Sequence, residues 1–424
     1  MDKGPWAVIF PPSGKGFLMQ FLSFCFSDRK AAARPGGAYT LQQSRNYQSR
    51  LVSYHDKLKK AGPRKLLACD GGGIRGIISI EILAKIEADL RTTSGRPDLV
   101  LSDYFDYVAG TSTGAIIATL VALGYSVEKI REFYIRSGRQ MFHKARLWER
   151  FRTKFKDDCL ADMLRDIIGE KTTFGSENLR TLLMMVFRNA TTDSPWPLSN
   201  NPAAKYNDRK RPDCNLDLPL WQLVRASTAA PTYFPPEVIQ VGGRDFIFVD
   251  GGVTMYNNPA FELFLMATTD PYNLCWPTGE NEMFLVSVGT GTSTGAKANL
   301  SPEEMNLLYN AGSIPGALMG SALAEQDFLC RTFGKCLVGD PIDREVVDMI
   351  GKGISTAKKL FTFVRYNTEL SREGLDSLGL TEVEPAHVQQ MDSVDFIDEM
   401  QEVGRAAPNT KSSLSISIIL RYEG

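Results

Sequence analysis

Histidine is nearly absent. The 424 residues hold 3, at His55, His143 and His387, so hydrolytic chemistry that draws on an imidazole base has few places to find one. His55 lies in a polar approach segment, His143 in a basic stretch and His387 in an acidic one, and none ends an expected core strand. Cysteine pairs at metal-ligand or redox spacing are also missing. The 7 cysteines, Cys25, Cys69, Cys159, Cys214, Cys275, Cys330 and Cys336, are scattered, with no C-x-x-C among them. That argues against a zinc site and for a reducing, cytoplasmic location. Neither sign of charge is in excess: 48 Lys and Arg stand against 49 Asp and Glu, for a net charge of −1. A dedicated nucleic-acid binder normally carries a basic excess to neutralise phosphates, so no nucleic acid is expected as partner. No EF-hand loop is present, and neither a metal nor another cofactor is expected. No apolar run reaches the ~18 residues of a membrane-spanning helix. The nearest candidate, Gly16 to Ser27, is short and lacks the basic start and small-residue cleavage site of a signal peptide.

What the chain does have is one pentapeptide twice. GTSTG occurs at Gly110 to Gly114 and again at Gly291 to Gly295. Both copies fit G-x-S-x-G, a pattern that presents a serine on a sharp strand-to-helix turn. Such an elbow needs an entering strand, a tight turn and a helix that starts at once, because the first amides and the dipole of that helix favour developing negative charge. The first copy has all three: YFDYVA at Tyr104 to Ala109 reads as a strand, and AIIATLVAL at Ala115 to Leu123 as an apolar helix. The second follows a strand, MFLVSV at Met283 to Val288, but the next helix start is expected only near Ser301, with Pro302 and Glu304 behind it. Ser112 is therefore the candidate nucleophile, flanked by Gly110 and Gly114 where side chains would clash, and Ser293 reads as part of a loop.

The other groups fall at strand ends. Lys65 to Cys69 reads as a buried strand, followed by the glycine turn Asp70-Gly71-Gly72-Gly73-Ile74-Arg75-Gly76 and a helix marked by Ile78, Ile82, Ile86 and Leu90. Gly71, Gly72 and Gly73 offer consecutive unobstructed amides, which suits an oxyanion hole. Gly71, Gly73 and Gly76 also satisfy G-x-G-x-x-G, but no acidic residue ends a second strand about 20 residues on, as dinucleotide binding requires. The run Ser13-Gly14-Lys15-Gly16 lacks the first glycine and final hydroxyl of a P-loop. Asp250 closes the strand Phe246 to Val249 and precedes Gly251 and Gly252. A carboxylate held dry against a hydroxyl can take its proton; the plainer alternative is a turn or cap aspartate. Strand, turn and helix in repetition imply parallel strands and an α/β fold.

D-G-G-G-x-R-G at 70–76, G-T-S-T-G at 110–114 and D-G-G at 250–252, with ASTAAPTYFPP at Ala226 to Pro236 before the last, resemble the patatin-like phospholipases in identity and order. The resemblance is strong over residues 65–260 and weaker to about 400. It implies a three-layer α/β/α fold with a mainly parallel sheet and additional C-terminal helices. It also implies a Ser112–Asp250 dyad, an oxyanion loop at Gly71 to Gly73, and an Arg75 that holds that loop or steers an anionic head group. The expected activity is hydrolysis of glycerolipid acyl esters through an acyl-enzyme. A soluble carboxylesterase or acyltransferase with the same dyad, a catalytically idle binding module, and a signal-gated defence effector are the rival readings.

Three regions are expected: an extension at 1–62, a catalytic domain at 63–300, and a mainly helical part at 301–424 packed on it. The stretch Phe142 to Lys156 mixes six basic residues with Phe142, Leu147, Trp148, Phe151 and Phe155. As a helix it would suit an anionic membrane surface, or else be an ordinary surface helix with its apolar face in the core.

Overall fold

The computed structural model describes residues 53–142, 159–231, 233–292, 307–355 and 358–409. The stretch from His143 to Lys156, Ser293 to Gly295 of the second pentapeptide, the Ser301 helix start and most of the expected extension lie outside these residues.

Among the described residues the centre is a sheet of nine strands. Those used below are β1 (Arg64–Cys69), β2 (Tyr107–Thr111), β3 (Leu182–Asn189), β4 (Ser194–Ser199), β5 (Glu237–Val241), β6 (Arg244–Asp250), β7 (Met283–Val288), β8 (Lys335–Val338) and β9 (Thr362–Tyr366). Pairing is parallel along β8, β9, β7, β1, β2 and β3, and antiparallel where β4 and β6 join β3 and where β5 joins β6. The middle strands are buried along their whole length, which explains why LLAC of β1 and MFLV of β7 are apolar runs rather than alternating patterns. Helices cover both faces. On one side lie α1 (Gly76–Ser94), α2 (Thr113–Ala122), α3 (Val127–Phe142) and the last helix, α6 (Ile397–Asn409), which pack on one another; on the other, α4 (Ala260–Thr268) packs on β1, β2 and β7 and against α5 (Leu307–Phe333). The architecture is the expected three-layer α/β/α.

One local expectation changes. The segment Leu101–Tyr104 is a helical turn, so the strand starts at Tyr107; Asp103 accepts the Val100 amide at 3.2 Å and closes that turn. Besides its helices, the region 301–424 supplies β8 and β9, which extend the central sheet beside β7. The short runs KCLV and TFVRY, the second interrupted by Arg365, carry too little periodicity to stand out between long helical patterns. The expected boundary at residue 300 therefore cuts through one sheet. Among the described residues no helix is long and apolar enough to cross a membrane.

Candidate active site

Two strands meet end to end at the site. Residues 182–186 of β3 pair with β2 and residues 187–189 with β6, while β4 runs along 184–189. One edge of a strand accepts one neighbour at a time, so β2 and β6 share the edge that β4 leaves. Thr111 stands opposite Val186 and Asp250 opposite Phe187. The residue that follows β2 and the residue that ends β6 are thus brought together from opposite directions.

Ser112 leaves β2 with φ 54° and ψ −123° and is followed at once by α2. A non-glycine residue in this region costs roughly 1–3 kcal/mol and persists only where its surroundings impose it. They do so here through close approach: a Cβ on Gly110 would stand 2.0 Å from the Gly114 carbonyl oxygen, and one on Gly114 would stand 2.1 Å from that of Cys69. From behind, the Ser112 amide donates to Ser227 Oγ at 2.9 Å, and Ser227 Oγ donates to the Val186 carbonyl at 2.7 Å.

The Ser112 hydroxyl donates to Asp250 Oδ2 at 2.6 Å. Asp250 Oδ1 accepts the Gly252 amide at 2.6 Å, so the carboxylate is at once a turn cap and a partner for the serine. The cap fixes the rotamer that aims the second oxygen. Asp250 is buried. Burial raises its carboxyl to about 6, against the lowering pull of the Ser112 hydroxyl, the Gly252 amide and the Arg225 charge. It is therefore mostly ionised at neutral pH yet close enough to neutrality to exchange a proton. The two described histidines are occupied elsewhere: His55 faces Glu177 at 3.2 Å, and His387 bonds Glu399 at 3.1 Å while stacking on Phe396.

The glycine loop lies beside the serine, with the Cβ position of Gly71 at 3.2 Å from Ser112 Cβ. Its amides are not equivalent. The Gly71 N–H donates to the Asn257 carbonyl at 3.1 Å, which corrects the expectation that all three glycines offer free donors. The N–H groups of Gly72 and Gly73 have no partner among the described residues. The Gly73 carbonyl accepts Thr113 Oγ1 at 2.9 Å and also the Tyr134 hydroxyl. On the far side of that peptide the Ile74 amide donates to the Met391 carbonyl at 2.9 Å. Gly73 takes φ +61°, the left-handed region that favours glycine.

Charges anchor the loop at both ends. Asp70 and Arg365 of β9 form a buried fork-to-fork pair at 2.9 and 2.5 Å. Burial alone would lower Arg365, but the Asp70 carboxylate more than offsets it and lifts the guanidinium above its ordinary range. Arg75 is buried and donates to the Gln389 carbonyl at 3.2 Å; burial lowers it to about 10, with Asp70 opposing. Arg75 thus ties the end of the loop to the segment at Gln389. Sequence reasoning missed Ser227 as a prop, Asn257 and Arg365. Arg365 left one signal, a cation inside an otherwise apolar strand.

Residues 67–264 match the patatin-like phospholipase family. The chain is 29% identical over 259 residues to a cGAMP-activated phospholipase of Vibrio cholerae, covering 57% of this chain and 67% of that one. It is 29% identical over 256 residues to patatin-T5 of Solanum tuberosum, covering 56% and 63%. It thus spans about two thirds of the length of these relatives. Among solved structures, human GIVD cytosolic phospholipase A2 in complex with methyl gamma-linolenyl fluorophosphonate aligns with a TM-score of 0.39 at 9% identity, over 87% of this chain and 62% of that one.

Proposed function

The chain belongs to the patatin-like phospholipase family, and from that premise we propose that it is a lipid acyl hydrolase of phospholipase A type, working through Ser112 and Asp250. The observation that carries the reading is the 2.6 Å bond from the Ser112 hydroxyl to a buried carboxylate. Asp250 Oδ2 takes the proton as Ser112 Oγ attacks the ester carbonyl. The tetrahedral oxyanion rests on the Gly72 and Gly73 amides, and the lysolipid alcohol leaves with the proton from Asp250. Water, deprotonated by the same carboxylate, then attacks the acyl-serine, and Asp250 passes the proton to the leaving Ser112 Oγ as the fatty acid is released. The amides of α2 add a favourable dipole where the charge develops.

The substrate is a glycerolipid ester presented at a membrane surface, reached from the cytoplasm. Exposed Val253 and Met255, just past the Asp250 turn, and Met391, against the glycine loop, give the neighbourhood of the dyad apolar contacts for acyl chains. A soluble esterase or acyltransferase would use the same dyad, and products identified by mass from mixed phospholipid vesicles distinguish them. The deciding experiment follows fatty acid release and fluorophosphonate labelling by wild type, Ser112→Ala and Asp250→Asn. Both variants should lose release, and Ser112→Ala should lose labelling. A labelled, active Ser112→Ala overturns the assignment.

A second reading, an effector gated by a cyclic dinucleotide, is favoured by the cGAMP-activated relative. It predicts that wild type releases fatty acid only when cGAMP is added.

A further inference from the structure

The residue just before the second pentapeptide touches the glycine loop of the first strand. Thr290 is buried, 3% exposed, and its Oγ1 donates to the Gly71 carbonyl at 3.1 Å. It also sits where a Gly72 side chain would be: a Cβ there would lie 2.2 Å from Thr290 Oγ1. Space demands glycine at 72, and Thr290 is what fills that space.

The peptide between Gly71 and Gly72 is planar and trans, so its N–H points opposite to its C=O. A hydroxyl that holds the Gly71 carbonyl on one side fixes the direction of the Gly72 N–H on the other. We propose that Thr290 is a positioning residue for the oxyanion hole: its hydroxyl turns the 71–72 peptide so that the Gly72 amide stays open for the substrate oxyanion. The inference rests on the dyad reading above. It gives the second pentapeptide region a task without a second nucleophile. Thr290 is itself tied into the sheet: Asn367 Oδ1, one residue beyond β9, accepts the next amide, Gly291, at 2.9 Å, and the Gly289 amide donates to Tyr366 at 2.8 Å. The prop thus comes from beyond residues 67–264, the stretch that matches the family.

The test compares Thr290→Val, which keeps the shape and removes the hydroxyl, with Thr290→Ser, which keeps the hydroxyl, in the full chain on a p-nitrophenyl acyl ester. Losing one oxyanion donor outright costs about 10²–10³ in kcat. A donor that is present but misdirected should cost about 10- to 100-fold, with KM within about twofold, whereas Thr290→Ser stays within about threefold of wild type. Affinity for a trifluoromethyl ketone, which forms the oxyanion, should fall in proportion to kcat/KM. If Thr290→Val does not fold, Thr290→Cys, a weak donor of similar size, takes its place, with an intermediate loss expected. Wild-type kcat in Thr290→Val or Thr290→Cys, or equal losses in Val and Ser variants, overturns the proposal. Ser112→Ala run alongside separates the two claims. Its activity would sink the dyad reading, while its inactivity beside a fully active Thr290→Val would sink only the role of Thr290.

Discussion

The pentapeptide GTSTG stands at the C-terminal end of a central parallel strand at both of its occurrences, β2 and β7, yet the chain leaves the two strands differently. After Thr111 it enters α2 within one residue, and Ser112 is held at positive φ. After β7, Gly291 turns at φ +87° and the chain stays beside the segment that follows β9: the Thr292 amide donates to the Thr368 carbonyl and the Leu370 amide to that of Thr292, both at 2.8 Å. The same opening Gly-Thr leads into an elbow where an apolar helix packs on β1, β2 and β3, and forms a bridge at Thr292 where a neighbouring segment offers backbone partners. A local motif supplies permission for a sharp turn; the next element decides whether the turn is used.

The largest expected asymmetry is chemical. Ser112→Ala should lower fatty acid release roughly 10⁴-fold or more, while Ser293→Ala stays within about twofold. Equal losses in two folded variants would erase the distinction between the copies.

Glycine substitutions test the same contrast sterically. In Gly114→Ala the new methyl meets the Cys69 backbone, which cannot move without distorting β1. We expect a fall in activity of at least about 100-fold, on the scale of a 1 Å misplacement in an active site, together with a lower melting temperature. In Gly291→Ala the methyl meets the flexible Leu370 side chain and a strained φ. About 1–2 kcal/mol of stability should go, with kcat close to wild type.

Arg365→Leu leaves Asp70 buried without its partner, which typically costs about 3–5 kcal/mol. Denaturant unfolding should show that loss, and Arg365→Lys should recover only part of it because an ammonium cannot form the two-pronged bond.

The mildest effect is in pH. As the proposed base, Asp250 works only when ionised, and burial raises its carboxyl to about 6. The rate constant kcat/KM should be flat above about pH 7 and fall toward tenfold per unit below 6. A profile still flat at pH 4.5 would remove Asp250 from the role of base.

Much of the site was legible in the sequence. Ser112, Asp250 and the glycine loop each lie at the end of a recognisable strand, and steric rules at Gly110 and Gly114 are local enough to read from spacing alone. The near absence of histidine agreed with a carboxylate partner for the serine, and Asp250 lies against the Ser112 hydroxyl. Less legible was everything that depends on which strands are neighbours. Nothing local says that β6 runs antiparallel into the end of β2, that the Gly71 amide is taken by Asn257, or that Thr290 and Arg365, hundreds of residues from the loop in the chain, hold it in place. The sequence by itself determined which residues can turn sharply, lie buried in a strand or carry a proton. Only the tertiary structure decided which amides remain open, because hydrogen bonds are allotted by neighbours in space, and sheet order brings those neighbours together from distant parts of the chain.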